Sequence, residues 1–315
     1  MDQPSPQLVE RFARDLAALA AGGKIGIAVS GGPDSLALLL LTHAAQPGAV
    51  EAATVDHHLR EGSADEAAMV AMLCEQLGIP HAILPVTVAP GASLQAQART
   101  ARYAALADWA HERCLTAIAT AHHAEDQAET LLMRLARGAG LSGLAGVRAS
   151  RALNDSVTLV RPLLGWRKAD LEVIVAEAGL NPADDPANRD PRHDRTRARN
   201  FLGQGDWPDP RQIAASASHL ADAEDALRFA TGHFADRLTA ESGGLALRAA
   251  DLPRELQRRL LLIAIARLGD SPPRGPDLER ALATLASGGA CTLGTLSLRA
   301  KHDRWHLAPA PPRRG

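Results

Sequence analysis

The sequence predicts an α/β protein, a doubly wound parallel sheet followed by a smaller, mainly helical domain, and three observations carry the prediction. Apolar, β-branched runs at 25–29, 50–55, 81–88 and 114–120 alternate with stretches of helical periodicity. A glycine turn, Ser30-Gly31-Gly32-Pro33-Asp34-Ser35, joins the first run to the apolar stretch Leu36–Leu41. From Asp206 the composition shifts to Ala/Leu/Arg-rich helical patterns punctuated by Pro208, Pro210, Pro272 and Pro273, which divides the chain into residues 1–205 and 206–315.

Leu8, Val9, Phe12, Leu16 and Leu19 recur at helical spacing before Gly22-Gly23, a packing helix ahead of the first strand. The first strand then meets the glycine turn. Glycines without Cβ atoms let consecutive backbone N–H groups converge on one concavity, and the positive end of the next helix lies behind it. Ser30 and Ser35 add hydroxyls, and Pro33 stiffens the turn. Asp34 is the informative residue: a carboxylate in a phosphate cradle repels the phosphate unless a divalent cation lies between them, which points to pyrophosphate with Mg²⁺ on Asp34. No lysine follows the glycines, so the Gly-Lys-Ser/Thr loop of kinase-like NTPases does not fit.

The second strand runs into Asp56-His57-His58-Leu59-Arg60, a loop on the carboxyl edge where parallel sheets bind ligands; His57 is a candidate nucleotide contact or a plain surface histidine. Ser63-Ala-Asp-Glu66 has the form of a capping box and opens a helix that stops near Gly78. After the third strand a long helix from Ser93 carries Arg99 and Arg102 on one face, a solvated basic stripe on its own evidence. The fourth strand leads to Thr120-Ala-His122-His123-Ala-Glu125-Asp126-Gln-Ala-Glu129-Thr130. On the expected helix His122, Asp126 and Glu129 share a face opposite Ala128, Leu131, Leu132 and Leu135. Helix-start acids and a metal site compete as explanations of that face. Five arginines lie between Arg189 and Arg199, among them Arg195, Arg197 and Arg199, a density that suits phosphate contacts as well as a solvated loop. Residues Ile213–Phe234 and Leu252–Leu268 read as downstream helices, and Cys291–His306 as a terminal hairpin.

A net charge of −2 over 315 residues excludes a uniformly basic nucleic-acid coat, and 3% aromatics argues against gripping RNA mainly by base stacking. Cys74, Cys114 and Cys291 lie too far apart in sequence for a zinc ribbon. No apolar run approaches a membrane span, and a cytoplasmic protein is expected.

Ser30–Ser35 resembles the signature of the N-type ATP pyrophosphatases, the PP-loop superfamily. The 120–135 stretch, the glycine-rich loop after it, Ala98–Tyr103, Arg161-Pro-Leu-Leu164 and the 184–199 segment together resemble the tRNA(Ile)-lysidine synthetases within it, with departures at Thr54 and Thr196. The resemblance implies a ligase that adenylates the wobble cytidine of an isoleucine tRNA with a CAU anticodon and then joins L-lysine to it, using ATP and Mg²⁺. It implies ATP contacts from Ser30, Gly31, Gly32, Pro33, Asp34, Ser35 and His57, a catalytic Arg102, a lysine pocket at Asp126 and Glu129, tRNA phosphates at Arg195, Arg197 and Arg199, and possible roles for His122 and His123. The downstream domain would recognise tRNA. A PP-loop tRNA thiolase and a non-catalytic adenine-nucleotide binder are the alternatives.

Overall fold

Helix and strand alternate through Ala136 in the computed structural model, which describes residues 2–20, 22–57, 63–87, 94–183, 194–203 and 208–311. Helix α1 (Pro6–Ala17) opens on Pro6, whose missing N–H costs nothing in a first turn, and buries Phe12 and Leu16. Strand β1 (Ile25–Ala28) runs through the glycine turn into α2 (Pro33–Ala45). Then come β2 (Val50–Asp56), α3 (Ser63–Leu77), β3 (His81–Pro85), α4 (Leu94–Glu112), β4 (Ala117–Ala119) and α5 (Ala124–Ala136). The short α6 (Leu141–Leu144), β5 (Ser150–Ala152), β6 (Thr158–Val160), α7 (Lys168–Glu177) and α8 (Asp194–Leu202) follow. β4 starts later than its apolar run because Cys114 holds φ = 55° and ends a turn there. His58, Leu59, Arg60, Val88, Ser93 and the 184–193 part of the arginine-rich segment lie outside the described residues.

The sheet order is β3-β2-β1-β4-β6-β5, parallel except for β5 on the edge. One face packs Leu36, Leu39, Val70, Leu73, Leu171 and Ile174 from α2, α3 and α7. The other packs Leu106, Trp109 and Ala110 of α4 against Ala28, Ile118 and Leu159. Helices on both faces make the sheet doubly wound, as expected. Gly26 is required by this packing: a Cβ there would come within 2.6 Å of Trp109 and of Ile118. The chain leaves β1 toward β2 and β3, then returns to the opposite side of β1 as β4. The topological switch point, where such sheets bind ligands, therefore lies between the carboxyl ends of β1 and β4.

The chain forms two compact units, residues 1–221 and 222–315. The second starts inside α9 (Pro210–His233) and contains β7 (Leu238–Glu241), β8 (Gly244–Leu247), α10 (Arg254–Arg267), α11 (Gly275–Ala286), β9 (Ala290–Leu293), β10 (Leu296–Lys301) and β11 (Arg304–Pro309). It holds more helix than strand. The expected hairpin is β10–β11, which belongs to a five-stranded antiparallel sheet, β7-β8-β11-β10-β9, that composition did not foretell. Leu247, Leu260, Leu282, Leu298 and Trp305 fill its core. No helix among the described residues is long and apolar enough to cross a membrane.

Candidate active site

Two chain segments meet at the switch point: the turn after β1 and the His122-His123 segment after β4. Gly31 sits at φ = 82°, a backbone state that favours glycine, and its carbonyl accepts a bond from the Ala183 N–H at 3.0 Å. The Ser35 hydroxyl donates to the Gly32 carbonyl at 2.9 Å and accepts from the Ser30 N–H at 3.1 Å, locking the loop onto the first turn of α2. Asp34 stands at that helix start with its Oδ1 buried and without a partner.

Across the cleft, α5 begins one residue after His123. The Ala124 N–H donates to the Trp166 carbonyl at 2.9 Å, and the His123 N–H to Asp126 Oδ2 at 3.1 Å, which satisfies helix-start donors that are otherwise orphaned. The His123 ring touches three carboxylates: Nδ1 lies 3.0 Å from Glu125, and Nε2 lies 3.5 Å from Asp34 and 3.6 Å from Asp126. Burial alone would lower its pKa, yet the hydrogen bonds to Asp34 and Glu125 and the charge of Asp126 raise it to about 10. His123 is therefore an imidazolium at neutral pH.

His122, expected on a face with Asp126 and Glu129, precedes the helix and points elsewhere. Its Nδ1 lies 3.1 Å from Thr120 Oγ1. Burial first, and the nearby Arg161, Arg102 and Arg99 after it, lower its pKa to about 3 against the pull of Asp126. Two consecutive histidines thus hold opposite charge states. The stabilisation from His123 is fully present below its unfolded pKa of about 6.5 and is lost as pH rises through about 10. Imidazole NMR titration should show one histidine resonance pair staying protonated from pH 6 to 8.5 and another staying neutral down to pH 5. Loss of the first on His123→Gln makes the assignment, and an ordinary titration of that pair near pH 6.5 would refute it.

Glu125, readable in sequence only as a helix-start acid, is a hub. It accepts from Arg167 Nε at 2.6 Å and from the Lys168 N–H at 2.9 Å, while Arg167 also reaches Asp209 at 3.2 Å. Burial would raise its pKa, but the bonds from His123, Arg167 and Lys168 bring it to about 2. Asp126 is held below the usual carboxylate range in the same way: burial opposes, and His123 and Arg195 prevail.

Glu129 is 1% exposed. Its two oxygens accept from Arg195 Nε at 2.6 Å and Arg199 Nε at 2.8 Å, and Arg195 also reaches Asp126 at 2.5 Å. Helix α8 is thereby pinned to α5. The arginines expected on RNA phosphates and the carboxylates expected on lysine pair with each other here. Arg197 is exposed and lies 3.8 Å from Asp194.

Ser30, Gly32, Pro33, Asp34, His123, Asp126, Glu129, Arg195 and Arg199 line one cleft of about 960 Å³, joined by Glu125, Arg167, Lys168 and Thr196. Gly31, Ser35, His57, Arg102, His122 and Arg197 do not line it. Ser35 and Gly31 shape the loop from beneath. His57 and Arg102 lie toward α4 instead, and burial and then Arg102 lower the His57 pKa. Thr54 lies 2.9 Å from His81 Nε2 between adjacent strands. The Cys74 thiol is buried and pushed up to about 12, which keeps it protonated and inert.

The PP-loop domain profile matches residues 5–205. The tRNA(Ile)-lysidine synthase of Novosphingobium aromaticivorans is 49% identical over 96% of this chain and 94% of its own length. That of Zymomonas mobilis is 41% identical over 99% and 96%. Among solved structures, the U34-tRNA thiolase NcsA of Methanococcus maripaludis superposes with a TM-score of 0.58 at 17% identity, covering 69% of this chain and 79% of that one, a likeness of fold alone. A glycine turn at the switch point of a doubly wound sheet, and near-full-length identity of this order, place the chain in the PP-loop family, among the tRNA(Ile)-lysidine synthases.

Proposed function

We infer that this chain ligates L-lysine to C2 of the wobble cytidine in CAU-anticodon isoleucine tRNA, cleaving ATP to AMP and pyrophosphate. The observation that carries the inference is the convergence of the glycine turn, the Asp34–His123 contact and the Asp126/Glu129 pair on one cleft. In the first step the cytidine O2 attacks the ATP α-phosphorus and pyrophosphate leaves. In the second the lysine ε-amine attacks C2 and AMP leaves, so one amine proton must depart.

The Gly31 and Gly32 N–H groups of the turn bind the leaving phosphates, fixed before reaction, where preorganised donors stabilise developing charge most. The His123 imidazolium adds a fixed positive donor beside Asp34. The donor set suits Mg²⁺, which takes one or two carboxylates with phosphate oxygens and water, and the unpartnered Asp34 Oδ1 supplies one. When bound, Mg²⁺ neutralises phosphate charge. The family resemblance gives Arg102 the phosphate linking adenosine to the base; its Nε is buried without a partner, although the residue does not line the cleft. Asp126 and Glu129 hold the lysine ammonium in exchange for Arg195, and one of them takes its proton. Arg195, Arg197 and Arg199 then turn to tRNA phosphate. Residues 206–315 serve tRNA recognition, which the relatives' near-full-length coverage supports. The protein works in the cytoplasm.

Purified protein with ATP and Mg²⁺ should form AMP in a lysine-dependent way with CAU-anticodon tRNA and not with other tRNAs. Sulfur incorporation, or AMP formation indifferent to lysine, would reject the ligase reading.

A further inference from the structure

Away from the cleft, on the side of the sheet edge toward β5, four arginines gather around one tyrosine. Arg99 Cζ lies 5.0 Å and Arg151 Cζ 4.6 Å from the Tyr103 ring centroid. Arg161 follows β6 and hydrogen-bonds Tyr103, and Arg102 neighbours Tyr103 on α4. Arg161 is 2% exposed and donates to the Arg148 carbonyl at 2.6 Å, yet its Nε is buried with no partner, as is Arg102 Nε. Among the described residues no Asp or Glu forms an ion pair with any of these four.

Like charges brought together with buried, unpaired N–H groups cost free energy that a fold ordinarily avoids with carboxylates. Elsewhere this chain does so at Arg113, Arg167, Arg195, Arg199, Arg254, Arg258 and Arg259, which all have acidic partners. The local field is correspondingly positive. His122 is held neutral by burial first and then by Arg161, Arg102 and Arg99, and these arginines bring the Tyr103 phenol below its ordinary value although burial would raise it. Planar guanidiniums fixed by an aromatic ring match a phosphate's geometry and have lost little mobility to be fixed. Solvated surface side chains would account for Arg99 and Arg151, which are exposed, but not for the buried, unpartnered Nε atoms of Arg161 and Arg102.

We propose that Arg99, Arg151 and Arg161, held around Tyr103, form a second anion site that binds a backbone phosphodiester of the RNA substrate, separate from the nucleotide cleft. The proposal rests on tRNA as substrate and not on the lysine chemistry. The site lies on the same carboxyl edge of the sheet as the cleft, so an RNA strand reaching the cleft can cross it.

The test is the double variant Arg99→Ala/Arg151→Ala, both exposed positions, with Arg99→Lys/Arg151→Lys as the charge-retaining control. Binding of CAU-anticodon tRNA is titrated by filter binding across salt concentrations, and ATP affinity is measured by equilibrium dialysis. The alanine pair should lower the slope of log affinity against log salt by about 0.7–0.9, the value for one phosphate, with ATP affinity unchanged and the lysine pair close to wild type in slope. An unchanged slope in the alanine pair overturns the proposal. Weaker ATP binding with unaltered tRNA binding also overturns it, and assigns the arginines to the phosphates of the nucleotide. If wild type bound tRNA with the expected slope but made no lysine-dependent AMP, the ligase reading would fall and this site would stand.

Discussion

Asp34→Ala removes ATP turnover: AMP release in Mg²⁺ falls on the order of 10³-fold or more, since a lost metal contact at the leaving phosphates forfeits several kcal/mol of transition-state stabilisation. The expectation follows from a carboxylate at the first turn of α2 with one oxygen buried and unpartnered and the other facing the His123 imidazolium. Asp34→Asn keeps the shape and should be nearly as inactive. Circular dichroism and thermal melting of both variants report any unfolding directly. The imidazole provides an independent reading: losing Asp34 removes a group that raises the His123 pKa, so that pKa should drop in either variant. Steady-state AMP release near wild type would eliminate Asp34 as a metal ligand.

Glu129→Gln has the second largest expected effect. The substitution keeps the side chain's size and leaves Arg195 and Arg199 facing a neutral amide in a buried position. Breaking a desolvated charge pair costs about 2–5 kcal/mol, which corresponds to a loss of roughly 30- to 4,000-fold. If Glu129 holds the lysine ammonium, that loss appears in lysine incorporation, while single-turnover pyrophosphate release without lysine is spared. Equal loss in both steps would instead assign Glu129 to docking α8 and shaping the cleft as a whole. Unchanged incorporation would reduce it to a structural ion pair.

Much of this arrangement can be read from local sequence. Ile25–Val29, the glycine turn and Leu36–Leu41 have patterns whose causes lie within a few residues, so β1, the turn and α2 follow directly. The same holds for the Asp126/Glu129 face of α5. What escapes is tertiary. Strands as short as Ser150–Ala152 and Thr158–Val160 have too few residues to show a period. The first residue of α5 is set by a bond to the Trp166 carbonyl, which no local pattern encodes, and this places His122 outside the helix. Glu125 looks like any acid in a first helical turn, and only its partners on the α7 side make it a hub. The basic stripe Arg99/Arg102 reads as solvated until β5 and β6 bring Arg151 and Arg161 beside it. Glu129 meets its arginines across a sequence gap that no motif spans. A run of arginines following a helix rich in acids was the available signal, and its geometry required the fold.

The pairing of β1 with β4 also fixes an order of events during synthesis. Ile25 pairs with Ala117 only after α2, β2, α3, β3 and α4 have all been made. A nascent chain that has emerged as far as β3 carries the glycine turn but has nothing opposite it: neither His123 nor the α5 carboxylates exist yet. Closing so long a loop costs only logarithmically more than closing a short one, but it is slow, and it comes late. However early the turn itself is made, the cleft it borders is complete only once β4 and α5 have emerged.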